Sequence, residues 1–255
     1  MGSPAWIPDA RVLLATGGAV GTWVSTADPT VAEILAGSGL DFLAIDGEHG
    51  VVDAGSLGPV LAAVRPSGLP TLFRVAENEQ ARIQHALDAG ASGVIVPRVR
   101  SAADAARAAA ATRYPPAGSR GIAPRRASGY GRDAGYLARA NDLVACVVQV
   151  ETRGALDDLA GILATPGVDA LLVGPNDLAG SLGHTGEIDH PENLAAIERV
   201  RAGARAAGIP VGIHVRDSAE ARARLADGFA FVTVASDAGL LAAAADALAR
   251  EAHTG

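Results

Sequence analysis

Glu151 and Asp177 each close a short apolar run, in ACVVQVE and ALLVGPND. If the two runs are neighbouring parallel strands, their backbones lie about 5 Å apart and the carboxylates can share one cation. Only oxygen donors gather there, with no cysteine and no histidine pair at ligand spacing. The pattern therefore predicts a hard, octahedral ion: Mg2+, or Mn2+ or Co2+ in its place. Gln149 precedes Glu151 by two residues, on the same strand face, where its amide can orient a bound oxygen. Taken singly, each acid has a plainer reading: Asp177 as a helix N-cap, and Glu151 as a salt-bridge partner of Arg153.

His49 follows another run in FLAIDGEHG, and Arg74 sits inside TLFRV. A histidine at a strand end can act as general base, because its ordinary pKa lies close to neutral; a structural histidine in a turn is the alternative. Burying an arginine in an apolar strand is costly unless an anion faces it. That anion is either a carboxylate or developing oxyanion of a ligand, or an interior partner, Asp46 or Glu48. His214, near the end of a later run, can touch substrate, whereas His85, His184, His190 and His253 lack paired ligand spacing and read as surface residues. GGAVG at 17–21 precedes a strand instead of following one, so it is not a dinucleotide fingerprint.

The elements that must hold these residues are legible as eight apolar, β-branched runs at 20–25, 42–45, 71–75, 93–96, 144–150, 170–173, 211–215 and 229–234. Segments with helical spacing lie between them, at 30–37, 80–87, 102–112, 156–163, 194–207, 219–225 and 240–249. Alternation of this kind predicts α/β architecture with a parallel sheet, and eight units close into a (β/α)8 TIM barrel. Asp28-Pro29, Asp217-Ser218 and Ser236-Asp237 read as helix starts, and Gly37, Gly90 and Gly208 as helix ends. Without a linker, the whole of 1–255 reads as one domain. Residues 113–132, rich in Gly and Pro with five arginines, read as a loop on the far face of the barrel, solvated or reaching a neighbouring subunit's site.

Composition narrows the chemistry. A length of 255 residues, 49% hydrophobic, suits a single large core of barrel size. The net charge of −7 argues against nucleic acid or an anionic membrane as partner and favours a small molecule. All 21 basic residues are arginines, which excludes Schiff-base, pyridoxal and P-loop chemistry, each of which runs through a lysine amine. Cys146, the one cysteine, lies in an apolar run and reads as a buried, inert thiol. No run approaches membrane-spanning length and the start lacks a signal pattern, so the expected location is cytoplasmic.

With DGEHG, LFRV, RYPPAGSRG, QVETR and VGPNDL in this order, the chain resembles the metal-dependent (class II) pyruvate aldolases related to 4-hydroxy-2-oxoheptanedioate aldolase and 2-keto-3-deoxy-rhamnonate aldolase, over nearly its whole length. The resemblance implies reversible aldol cleavage of a 4-hydroxy-2-oxo acid to pyruvate and an aldehyde through a metal-stabilised pyruvate enolate. It further implies that Glu151 and Asp177 hold the ion, that Arg74 contacts the keto oxygen, and that His49 is the base acting through water. By the same resemblance Asp88 reaches His49 from an adjacent subunit, and Gln149, Gly174, Pro175 and Asn176 hold the pyruvyl group. It also implies a homo-hexamer, a dimer of trimers with the C-terminal helix exchanged between subunits. Two departures stand out: GIHVRD replaces a more apolar stretch after the seventh strand, and Asn176 stands where a small residue is common. The alternatives are oxaloacetate decarboxylation, an acyl-CoA lyase, and a non-catalytic pyruvate-binding oligomer.

Overall fold

In the computed structural model, which describes residues 7–253, the strands are β1 (Ala19–Val24), β2 (Phe42–Asp46), β3 (Thr71–Arg74), β4 (Gly93–Val96), β5 (Ala145–Val150), β6 (Ala170–Val173), β7 (Val211–Val215) and β8 (Phe231–Ser236). They pair in parallel in chain order, and β8 returns to β1, so the sheet is a closed eight-stranded barrel. All eight expected strands are present, with ends displaced by at most two residues. The helices are α1 (Ala10–Thr16), α2 (Pro29–Ala36), α3 (Leu57–Val64), α4 (Gln80–Asp88), α5 (Ala102–Thr112), α6 (Tyr136–Leu143), α7 (Arg153–Asp157), α8 (Leu159–Leu163), α9 (Pro175–Ser181), α10 (Pro191–Ala207), α11 (Ser218–Ala226) and α12 (Asp237–His253).

Strand alternation divides the core in two. Outward residues such as Ile45, Phe73, Val96, Val148 and Ile213 pack on Leu57, Ile83, Ala105 and Ile197 of the surrounding helices. Inward residues, among them Ala19, Phe42, Leu72, Ile95, Val147, Leu172 and Phe231, fill the barrel itself. Two aromatic rings fit inside because glycines face them. A Cβ on Gly21 would stand 2.6 Å from the Phe42 ring, and one on Gly212 only 2.2 Å from Phe231. Ala10 and Leu14 of α1 join this inner cluster and close the N-terminal end.

Four helices escape the periodicity reading. In α3, LGPVLAAV is apolar nearly all round and offers no stripe, and Leu57, Val60, Leu61 and Val64 are all buried. The short α1, α6 and α9 carry too few turns to establish a period. The helix expected at 156–163 is two helices, broken at Asp158, whose carboxylate turns aside to accept the Ala102 N–H at 2.7 Å. The segment 113–132 is more anchored than a solvated loop, because Arg113 and Arg120 are buried and ion-paired with Asp169 and Asp88. No helix among the described residues is long and apolar enough to cross a membrane.

Capping follows the expected residues. Asp28 accepts from Thr30 N, and Asp217 from Ala219 N and Glu220 N. Asp237 does more than start α12. Its carboxylate accepts from both the backbone N–H and the hydroxyl of Ser25 and of Thr26, at 2.6–2.9 Å, which ties the end of the barrel to its beginning. Burial opposes the charge on Asp237, but these donors outweigh it and hold its pKa below the ordinary carboxylate range. Beyond Asp237, α12 buries no residue, and Leu240, Leu241 and Leu248 stand exposed.

Replacement Asp237→Ala is expected to destabilise the protein by about 2–3 kcal/mol at neutral pH in urea denaturation, the value of hydrogen bonds to a buried charged group. Because the folded-state pKa is depressed, this contribution is present above the unfolded carboxylate pKa and is lost as pH falls. The variant and wild-type stabilities therefore converge in acid.

Candidate active site

The C-terminal ends of the strands surround a cavity of about 840 Å3 lined by Trp23, Asp46, His49, Arg74, Gln149, Asp177 and His214, among others. A second hollow of about 580 Å3 lies elsewhere, walled by Leu61, Arg65, Pro66, Gly90 and Arg126, and carries no acid or histidine. Of these two, the first gathers the acids and histidines.

Arg74 organises one wall. β2 and β3 pair with Asp46 opposite Arg74, and the guanidinium is gripped by both carboxylate oxygens, Nε to Oδ1 at 3.0 Å and Nη2 to Oδ2 at 2.7 Å. Nη1 lies 3.3 Å from Glu48 Oε2, and the guanidinium carbon sits 4.3 Å from the centre of a Trp23 ring. The interior ion pair is thus real, and Arg74 still borders the cavity. A guanidinium has five N–H donors, so two on its terminal nitrogens remain for a ligand. Burial opposes ionisation of Asp46, but Arg74 and the N–H groups of His49 and Glu48 hold its pKa low. Those two N–H groups, at 3.1 and 3.0 Å, also shape the turn that presents His49 to solvent.

Across the mouth, Glu151 Oε1 accepts the Arg98 N–H at 2.6 Å and Oε2 meets the Gln149 amide nitrogen. Burial pushes the Glu151 pKa up, and the negative charges of Asp177 and Glu48 add to this against the Arg98 N–H. Among the described residues, Gln149 Oε1 is buried with no hydrogen-bond partner. Crowded acids beside an unpartnered carbonyl oxygen are a donor set that suits a hard cation. Room for it depends on Gly174, where a Cβ would stand 2.9 Å from both Gln149 Nε2 and Glu151 Oε2. Neither plainer reading of the acids holds: Gly174 is the N-cap of α9 with Asp177 in its first turn, and Arg153 pairs with Glu192 at 3.5 Å.

The fold thus brings His49, Arg74, Gln149, Glu151, Gly174, Pro175, Asn176 and Asp177 to one mouth. Asp88 is not among them in this chain. It ends α4, is bound by Arg120 at 2.7 Å, and borders an outer hollow with Ala54, His85, Arg125 and Tyr130.

The sequence reading missed Arg98, and it offered Glu48 only as an interior partner of Arg74. Glu48, nearly buried, lies 3.8 Å from His49 Nε2 and 3.2 Å from Arg98 Nε. Its pairing with Arg74 was expected from the buried arginine; its reach to His49 and Arg98 was not. Arg98, directly after β4 in VPR, adopts φ 55°, a strained backbone for a non-glycine residue, and gives Glu151 its N–H. His184 and His190 also depart from expectation, since their rings stack at 3.4 Å beside Glu192. That cluster is a helix start, where His190 Nδ1 accepts the Glu192 N–H at 3.2 Å.

A closed parallel barrel with acids, arginine and histidine converging at its C-terminal mouth defines an α/β-barrel enzyme acting on small molecules. The model of the HpcH/HpaI aldolase/citrate lyase family matches residues 19–244. The 4-hydroxy-2-oxo-heptane-1,7-dioate aldolase of Salmonella heidelberg (strain SL476) is 42% identical over 232 residues, 90% of this chain and 88% of that protein. The crystal structure of an HpcH/HpaI aldolase/citrate lyase family protein from Burkholderia cenocepacia J2315 superposes with a TM-score of 0.90 at 39% identity, covering 95% of this chain and 98% of that one. The HpcH/HpaI aldolase structure from Desulfitobacterium hafniense DCB-2 gives a TM-score of 0.87 at 27% identity, covering 97% of each chain. The chain belongs to the HpcH/HpaI aldolase/citrate lyase family and is a lyase of the aldolase class.

Breaking the Asp46–Arg74 pair leaves a buried, half-paired charge. Asp46→Ala is expected to cost about 3–5 kcal/mol in chemical denaturation, well above the range for a surface pair.

Proposed function

We propose that the protein catalyses divalent-metal-dependent, reversible aldol cleavage of 4-hydroxy-2-oxo acids to pyruvate and an aldehyde, in the cytoplasm. The observation that carries this reading is the unpartnered Gln149 Oε1 beside the crowded carboxylates of Glu151 and Asp177, with Gln149 and Asp177 lining the same cavity as Arg74 and His49. Glu151 and Asp177 would hold a divalent ion, whether Mg2+, Mn2+ or Co2+, which would supply Lewis acidity toward the keto acid.

The side chains account for the rest. His49, acting through a water, takes the proton of the C4 hydroxyl. The C3–C4 bond breaks, C4 becomes the aldehyde carbonyl, and the electron pair passes to the three-carbon fragment as its enolate. Arg74 directs its remaining N–H donors to the ketone oxygen, where negative charge accumulates. Protonation at C3 then gives pyruvate, and the synthetic direction retraces these steps with the methyl group of pyruvate losing the proton. Gln149 orients the pyruvyl group against the wall formed by Gly174, Pro175 and Asn176. Within one chain Glu48 is the acid facing His49, and Asp88 of a second copy is the group we propose to polarise it.

A homo-hexamer, a dimer of trimers, would supply that copy. The exposed Leu240, Leu241 and Leu248 of α12 support burial against another subunit, as helix exchange requires.

Chelation is expected to abolish aldol cleavage, and Mg2+, Mn2+ or Co2+ to restore it. Glu151→Gln is expected to lose at least a hundredfold in kcat/KM with every metal, while keeping a wild-type circular dichroism spectrum. Full activity of Glu151→Gln, or of the chelated enzyme, would overturn the proposal. Release of pyruvate from oxaloacetate, with no cleavage of any hydroxy-oxo acid, would reassign the site to decarboxylation.

A further inference from the structure

His214 is the one cavity-lining histidine that the proposed mechanism leaves unused. It follows Ile213, which packs outward among the helices, so alternation along β7 turns it into the barrel with Gly212. Its ring stands edge-on to Trp23, with centroids 6.3 Å apart. Nδ1 lies 3.0 Å from the Thr233 carbonyl oxygen and 3.1 Å from Thr233 Oγ1. A carbonyl oxygen can only accept, so Nδ1 carries the proton. Trp23 Nε1 lies between two acceptors, 3.2 Å from His214 Nδ1 and 3.1 Å from Thr233 Oγ1, and with Nδ1 protonated toward the carbonyl it donates to Oγ1. Among the described residues Nδ1 takes all of the ring's hydrogen bonds, which leaves Nε2 with a bare lone pair on the cavity wall. Burial, with the charge of Arg74 behind it, outweighs the Thr233 carbonyl and keeps the ring below the usual imidazole pKa.

The rim beyond His214 is made of paired charges. Arg216 is held between Glu220 and Asp189, at 3.1 Å each, and Asp217 borders the same cavity. Arg224 also reaches Glu220, at 3.4 Å, and the charge of Arg222 acts on Asp217, so the guanidiniums here are already matched by carboxylates of the protein and offer little to a distant carboxylate on a substrate. A neutral acceptor inside a rim of paired charges calls instead for an uncharged partner with a hydroxyl to donate.

Resting on the aldolase reading, we infer that His214 is a specificity residue whose Nε2 accepts a hydrogen bond from a hydroxyl on the aldehyde half of the substrate, so that the enzyme selects uncharged hydroxyaldehydes over carboxylate-bearing ones. Bond making is unchanged: the methyl carbon of pyruvate joins the aldehyde carbon, and the new alkoxide takes up a proton.

The test pairs glycolaldehyde with propionaldehyde, which place a hydroxyl and a methyl at the same position, as acceptors for pyruvate with Mn2+. The quantity read is the ratio of their kcat/KM values, compared between variants so that each aldehyde's own reactivity and hydration cancel. The ratio is expected to fall about tenfold in His214→Leu, the loss of one hydrogen bond to a buried acceptor, and to recover in part in His214→Gln, whose side-chain oxygen also accepts. Wild-type enzyme is expected to use succinic semialdehyde at least tenfold less efficiently than glycolaldehyde. Thermal melting is read first, and His214→Phe, which keeps a ring against Trp23, replaces the leucine variant if that one unfolds. A ratio unchanged within twofold, or a preference for the semialdehyde, would overturn the inference while leaving the aldolase reading intact. Absence of condensation with every aldehyde in the wild type would defeat the aldolase reading, and this inference with it.

Discussion

The mouth of the barrel depends on the pairing of Asp46 with Arg74. An arginine can stand inside a buried strand because the residue opposite it in the register is a carboxylate, close enough to meet its fork with both oxygens. From that pair a line of alternating charge runs round the rim: Asp46, Arg74, Glu48, Arg98 and finally the carboxylate of Glu151, which meets the Arg98 backbone. Each buried charge would be costly alone, and each is held by the next. Asp46 neutralises Arg74 and also fixes the turn that delivers Glu48 and His49, so removing it would disturb both ends of that line.

The use of arginine throughout suits this arrangement. A lysine ammonium is a point charge, whereas the planar guanidinium of Arg74 reaches two carboxylates and a Trp23 face at once. A chain without lysine gives up amine chemistry, and its electrophilic work must come from elsewhere. The unpartnered oxygen of Gln149 and the repelling acids beside it are where that need and the structure coincide.

Much of this was legible in the chain. Parallel strands buried on both faces read as continuous apolar runs, and a polar residue ending such a run stands out, which is why Glu151, Asp177, His49 and Arg74 could be picked individually. What could not be read were relations across strands. Glu48 and Arg98 lie fifty residues apart in sequence and meet only because β2, β3 and β4 are consecutive in the sheet. The helix α3 went unseen for the opposite reason, since a segment apolar on every side has no face to mark its period. Arg120 looked like part of a loose loop because nothing in RYPPAGSRG shows that its guanidinium reaches Asp88.

The first helix has a consequence for traffic. By seating Ala10 and Leu14 in the inner cluster, α1 corks the barrel at the end away from the chemistry. On the proposed reading, a molecule split in the cavity at the other end would shed its outer fragment before the inner one could follow, and a surplus of the inner fragment would refill the emptied place.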